Sequence, residues 1–241
     1  MTDETEMTNL AGVLQGEGYA FVRAPEMRRL LDAHGGLGDW AQFAASWDDL
    51  GLDTYMADGG RYRKRRHASF AMTSGSDAIR RKPHQPHYQS RDYNALNGGI
   101  ERWFDPVLPE IGDSAAMAAV LRTCRDLFDR FIKVPSWHIE THQFRIEARH
   151  GEAGQPTPEG MHRDGVDAVL VLLVRRENVR SGDTSVHDLA GRRLGSFTLT
   201  EPLDAAVVDD HRVFHGVTPV EPVDLSRPSF RDVLVATFRR E

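Results

Sequence analysis

The chain has 241 residues, 40% of them hydrophobic and 27% charged, with a formal net charge of -6. That suits a globular protein of one large or two small domains, and the acidic balance argues against wholesale nucleic-acid binding. A single cysteine, Cys124, excludes an internal disulfide framework and a cysteine-based zinc site, and a reducing cytoplasm is the simplest setting.

Residues 1–10, "MTDETEMTNL", are acidic and polar, unlike a signal peptide, and are expected to form a flexible tail. "GYAFVRA" then reads as a short strand, and Pro25 suits the first turn of a helix through Leu31 that Gly35 or Gly36 closes. In "DWAQFAASWDDLG" the residues Trp40, Phe43, Ala44, Trp47 and Leu50 recur at helical spacing, a pattern of core packing. "RYRKRRH" at 61–67 is a basic run, of the kind that forms a solvated face, and "KPHQPHYQ", with His84 and His87, reads as a proline-rich lid loop. The clearest helix spans 114–133. Met117, Val120, Leu121, Cys124, Phe128, Phe131 and Ile132 form its apolar face, Asp113 or Ser114 can cap it, and Pro135 follows its end.

Beyond Pro135 the texture changes. "WHIETHQFRIEA" alternates as a strand does, and "AVLVLLV" is continuously apolar, as a central buried strand would be. "SVHDL", "RLGSFTL", "AAVV", "VFHGV" and "RDVLVATF" follow at short intervals, the pattern of a sandwich or barrel. No apolar run approaches the roughly 20 residues a membrane span needs. The expectation is one α+β domain over 11–241, helices first and a β-rich half after them.

His162-Arg163-Asp164 carries the chemistry. A protein kinase uses His-Arg-Asp with an asparagine five residues after the aspartate, but Val169 stands there inside an apolar strand, and no glycine-rich loop accompanies it. The other use of His-x-Asp is metal ligation. Residues i and i+2 of a strand share a face, so His162 and Asp164 can present a nitrogen and an oxygen to one ion. Two histidines and one carboxylate leave positions open for oxygen chemistry on Fe(II). The third ligand has candidates in His211, His215 and, more remotely, His187. His211 reads as a turn residue, whereas His215 lies within an apolar strand where an unligated imidazole needs a partner, and it is favoured. Arg231 opens the last strand, where a guanidinium facing an apolar pocket calls for an anion such as a carboxylate. Arg227, just before Pro228, is the alternative.

These segments, taken with "YQSRDYNALNGGIERWFDPV", "THQFRIEA", "SGDTSV" and "EPLDAAVV", resemble in order the Fe(II)/2-oxoglutarate-dependent dioxygenases, and within them the bacterial L-isoleucine 4-hydroxylase-like amino-acid dioxygenases. The resemblance spans about residues 61–238. It implies a double-stranded β-helix, a cupin-like jelly roll, with N-terminal helices packed on it. It implies His162, Asp164 and His215 as ligands of Fe(II), which are also the catalytic centre, and Arg231 as the anchor of the cosubstrate 2-oxoglutarate, with O2 as oxidant. Ser181-Gly182-Asp183 departs from the family's usual Gly-Gly-Asp. Asp164 favours hydroxylation over halogenation, since halogenating relatives carry Gly or Ala there.

The implied reaction hydroxylates an sp3 carbon of a free, small, aliphatic L-amino acid and releases succinate and CO2. Such a substrate needs a cation for its carboxylate and acceptors for its ammonium. Gln143 and Arg145 share a strand face and are the first choice, with Arg63, or Arg61, reaching an anion at the pocket mouth. A carrier-bound or peptidyl amino acid, thioether sulfoxidation, and a non-catalytic jelly-roll binding protein are the rivals. No nucleic-acid or membrane partner is expected, and the oligomeric state, a homodimer included, is left open.

Overall fold

A computed structural model describes residues 3–241. In chain order the first part holds α1 (Asp3–Glu17), β1 (Tyr19–Val22), α2 (Ala24–Ala33), α3 (Trp40–Ala45) running into a 3-10 turn (Ser46–Asp49), β2 (Arg63–Thr73), β3 (Ile79–Arg81), α4 (Pro109–Gly112) and α5 (Ala115–Asp129). Nine strands follow: β4 (Ser136–Glu147), β5 (Ala168–Glu177), β6 (Val179–Ser181), β7 (Asp183–Asp188), β8 (Arg193–Thr198), β9 (Ala205–Asp209), β10 (Val213–Val217), β11 (Val220–Pro222) and β12 (Phe230–Arg240). Among the described residues no helix is long and apolar enough to cross a membrane.

The sequence signals place most of these elements. Pro25 sits in the first turn of α2. Ser114 caps α5 by accepting the Met117 N–H at 3.1 Å. Cys124 is buried on the apolar side of α5, where burial pushes its thiol pKa up, as packing rather than nucleophilic use requires.

Two stretches differ from expectation. The expected N-terminal tail, 1–10, enters α1 at Asp3, and Met7 and Leu10 are buried in the main core, so hydrophobic spacing outweighs the acidic composition there; residues 1–2 lie outside the described residues. The basic run 61–67 is not a solvated face. It enters β2 between β3 and β4, with Arg63, Arg65 and Arg66 all buried and paired to Asp53 or Asp49.

The major sheet has seven strands in the order β1-β9-β5-β12-β4-β2-β3, every pair antiparallel. A second sheet runs β10-β7-β8, and β11 pairs with β6. One face of the major sheet carries the helices: Trp137, Ile139, Leu234, Ala236 and Phe238 pack with Val120, Leu127 and Phe128 of α5. The Phe128, Trp137 and Phe238 rings meet edge to face at 5.0–6.3 Å, each burial stabilising by about 1.5–3 kcal/mol. The other face meets the small sheet through Val169, Val186, Val208 and Val213. This is the expected double-stranded β-helix, with a cavity between its sheets.

Candidate active site

Alternation along β4 and β12 decides what the cavity sees. Arg231, Val233, Val235 and Thr237 of β12 line it, as do His138, Glu140, His142, Phe144 and Ile146 of β4, since side chains two apart share a face. Gln143 and Arg145 belong to the opposite face. Gln143 donates to Ser46 Oγ, and Arg145 is bound to Asp232 at 2.7 Å and to Asp48 at 2.8 Å. The expected substrate pair is therefore out of the cavity by one residue of strand phase. Arg63 does line the cavity, but its guanidinium is held by Asp53 at 2.8 Å.

His162, Asp164 and His215 converge. His162 and His215 form an antiparallel bridge, His162 N–H donating to the His215 carbonyl at 2.9 Å and the reverse at 3.0 Å. Asp164 Oδ1 lies 3.6 Å from His162 Nε2, and Oδ2 lies 3.6 Å from His215 Nε2. These gaps are too long for hydrogen bonds, and all three donor atoms lie within 4.8 Å of one another, as atoms facing a shared cation do. His162 Nδ1 donates to the Gly160 carbonyl at 3.1 Å, so when the ring gives up its second proton the lone pair is on Nε2. Burial would lower the His162 pKa, but the Asp164 carboxylate lifts it to about 9. Burial and the charge of His162 together bring His215 down to about 4. Burial would raise Asp164, yet its two imidazole neighbours hold it below the ordinary carboxylate range. A cation can replace the proton that His162 holds against Asp164.

The aspartate is positioned twice over. Asp210 accepts the backbone N–H groups of Asp164, Gly165 and Val166 at 2.9, 2.8 and 3.1 Å, which shapes the ligand loop. Gln89 Nε2 donates to Asp164 Oδ1 at 3.2 Å. Gly165 is at φ +78°, and a Cβ there would stand 2.6 Å from the Tyr93 ring, so only glycine fits.

Arg231 is 2% exposed, and its Nε and Nη2 have no partner. Burial and the charge of Arg176 bring its pKa down to about 10, so it stays cationic at neutral pH. A buried guanidinium with no counter-ion is costly, and a dicarboxylate reaching in from the metal site would satisfy it. The donor set and this orphaned arginine fit Fe(II) and 2-oxoglutarate. Arg227 lies on the surface with Glu177 at 2.6 Å, His211 is exposed against Asp167 at 2.9 Å, and His187 bonds the Gly191 carbonyl.

A second polar group, His67, His87, Glu140 and His142, also gathers its donor atoms within 4.8 Å. Its tautomers argue against a metal. Arg65 Nη2 donates to His142 Nδ1 at 2.6 Å, and Lys82 donates to His138 Nδ1 at 2.9 Å. Each ring's proton is thereby on Nε2, the nitrogen that faces Glu140 at 3.7 Å and 3.3 Å respectively. His87 Nδ1 reaches the same carboxylate at 2.5 Å. Burial pushes Glu140 up, but the surrounding imidazoles hold it far below its usual range. The group is a carboxylate caged by donors. His87 is thus a buried cavity residue rather than part of a lid.

Sequence reasoning missed Gln89, Arg102, Glu140, Glu159 and Asp210. His138, Glu140 and His142 were signalled by their spacing of two. The others come from loops with no periodicity.

A family model described as 2OG-Fe dioxygenase matches residues 44–237. The chain is 26% identical to 3(1)-hydroxy-L-isoleucine 4-dioxygenase of Pantoea ananatis over 97% of its own length and 96% of that protein's. Among solved structures, a bsmA homolog from Methylobium petroleophilum PM1 superimposes with a TM-score of 0.89 at 36% identity, covering 97% of this chain and 93% of that one. The IDO structure from Bacillus thuringiensis matches with a TM-score of 0.79 at 18% identity over 98% of this chain and 99% of that one, a likeness of fold. The chain belongs to the 2OG-Fe dioxygenase family, enzymes that use Fe(II), 2-oxoglutarate and O2.

Proposed function

We propose that the protein hydroxylates an sp3 carbon of a free, small, aliphatic L-amino acid, with release of succinate and CO2. His162, Asp164 and His215 hold the Fe(II), and Arg231 binds the distal carboxylate of 2-oxoglutarate. The observation that carries the reading is the buried, unpartnered Arg231 in the same cavity as two histidines and one carboxylate, a ligand set that would leave positions open on Fe(II). The choice of an amino acid draws on the Pantoea relative, whose named activity is on a hydroxylated isoleucine.

When bound, the iron supplies activation of O2 coupled to oxidative decarboxylation of 2-oxoglutarate. The chain's own residues set the conditions. Val171, Val233 and Val235 give the cavity an apolar lining that limits water around the reacting groups. Asp210 and Gln89 fix the Asp164 carboxylate, and the Gly160 carbonyl fixes the His162 tautomer. Arg231, charged at neutral pH, orients the dicarboxylate without moving a proton.

The test is to incubate the protein with Fe(II), 2-oxoglutarate and ascorbate against each proteinogenic amino acid, measuring succinate and product mass. One aliphatic amino acid should gain one oxygen, and His162→Ala or His215→Ala should abolish it. Absence of stimulation by every amino acid would remove the free-substrate reading.

A further inference from the structure

Seven arginines are buried among the described residues, and five of them pair with a carboxylate. Arg102 and Arg231 do not. The cosubstrate accounts for Arg231. Nothing in the reaction so far uses Arg102, which is 2% exposed, lines the same cavity, and has an unpartnered Nε. Its Nη2 donates to Gln89 Oε1 at 3.1 Å, and the amide nitrogen of that same glutamine bonds Asp164. The guanidinium therefore stands one side chain from a candidate metal ligand. Its surroundings differ from those of Arg231: Arg63 is the cation that bears on Arg102, and Arg176 the one that bears on Arg231. The carboxylates of Asp53, Glu159 and Glu140 also act on Arg102, but none of them pairs with it, so its Nε is left for a ligand.

A complementary group lines the same cavity. Glu159 places Oε1 3.6 Å from His162 Nε2, while its Oε2 is buried with no donor. A buried carboxylate oxygen without a donor is as costly as a buried cation without an anion. Glu159 and Arg102 are not ion-paired, yet the charge of Glu159 acts on Arg102. A cavity lined by one carboxylate and one guanidinium, each with a buried unpartnered atom, suits a small zwitterion.

We propose that Arg102 and Glu159 form the recognition pair for a free α-amino acid, Arg102 binding its α-carboxylate and Glu159 its α-ammonium. The inference rests on the amino-acid reading above and deepens it. A carrier-bound or internal peptidyl residue has no free α-carboxylate and would leave Arg102 unsatisfied, and a C-terminal one has no free α-ammonium for Glu159, so the pair selects the free acid. It also holds the amino-acid head beside His162 and leaves the side chain to reach over the metal site.

The test uses the Fe(II) protein with 2-oxoglutarate under anaerobic conditions and titrates three probes by calorimetry: L-isoleucine, 3-methylpentanoic acid, which lacks the ammonium, and L-isoleucinamide, which lacks the carboxylate. If another aliphatic amino acid stimulates succinate formation more, its own two analogues replace these. Arg102→Met should weaken the amino acid at least tenfold and leave the amide within twofold of its wild-type affinity. Glu159→Gln should weaken the amino acid at least tenfold and leave the des-amino acid within twofold. Both variants should keep wild-type affinity for 2-oxoglutarate, which serves as the check on folding. Variants that bind the amino acid as wild type does, or that lose all three probes equally, would overturn the pair while the amino-acid reading stands. If no aliphatic amino acid binds wild-type protein, that reading falls and the pair with it.

Discussion

Replacing Arg231 by methionine should have opposite effects on binding and on stability. In the protein without cosubstrate, Arg231 is 2% exposed with two nitrogens unpartnered and Arg176 nearby. A buried charge in that state opposes folding, and an apolar side chain of similar length in place of buried charges is neutral or stabilising by about 1–4 kcal/mol. At about 2–4 °C per kcal/mol for a chain of this size, Arg231→Met should hold or raise the Tm by several degrees. With cosubstrate the sign reverses. Charge-assisted hydrogen bonds contribute about 1.5–3 kcal/mol each, and Nε and Nη2 can both be used, so the loss is about 3–5 kcal/mol after desolvation. That is a rise of about 10²–10⁴-fold in the Kd for 2-oxoglutarate. Thermal shift measured with and without 2-oxoglutarate, on Mn(II)-loaded protein to prevent turnover, reads both effects. Wild type at a hundredfold excess over Kd should gain about 2.7 kcal/mol, and the variant almost none. Arg227→Ala, removing an exposed pair with Glu177, should change neither quantity. If Arg231→Met binds 2-oxoglutarate within threefold of wild type, or melts several degrees lower without it, Arg231 is a structural residue and the anchor lies elsewhere.

Three further outcomes follow from the geometry. Asp210→Ala strips the acceptor from the N–H groups of Asp164, Gly165 and Val166 and should weaken metal binding about 10–100-fold, measured by Mn(II) titration. Because Arg65 holds the His142 tautomer against ligation, metal analysis of Fe(II)- or Mn(II)-loaded protein should find one ion per chain, and none after the double change His162→Ala with His215→Ala; an ion retained by that variant would contradict the tautomer argument. Asp53→Asn should destabilise by about 3–5 kcal/mol, because Arg63 and the fully buried Arg65 lose their carboxylate. Burial pushes Asp53 up but the two arginines hold it below its unfolded value, so its contribution is present above about pH 4 and fades as pH falls through the lower folded value. The difference in denaturant stability between variant and wild type should therefore shrink in acid.

How much of this was legible depended on whether a signal was local or periodic. His162 and Asp164 are two residues apart and His215 sits inside an apolar strand, so the three stood out in the sequence, but the expected strand edge is absent: His162 joins His215 through an isolated bridge, and Asp164 is brought in by a loop that Asp210 holds. Arg231 followed from the cost of burying a guanidinium. Gln143 and Arg145 failed by phase. The alternation of β4 was read correctly as strand, but the face toward the helices was taken for the face toward the cavity, and a single-residue slip exchanges the two. The basic run misled because arginines are ordinarily exposed; here Asp53 and Asp49, ten or more residues earlier in the chain, neutralise them, and no local pattern reports such pairing. At the N-terminus Met7, Leu10, Ala11 and Leu14 recur at helical spacing, a signal stronger than the acidic composition that suggested a tail. Arg102 and Glu159 lie on irregular segments, and only their unmet polar atoms in three dimensions mark them out.

The central claim is that this cavity couples decarboxylation of 2-oxoglutarate to hydroxylation of a free amino acid. The most direct measurement is a turnover assay with Fe(II), 2-oxoglutarate and O2, in which succinate is counted against oxygenated amino acid by mass spectrometry. The account predicts equal amounts of succinate and of a product carrying one added oxygen from O2 with at least one aliphatic L-amino acid, and neither with Asp164→Ala. Succinate formed at the same low rate whatever amino acid is present, with no oxygenated product, would contradict it.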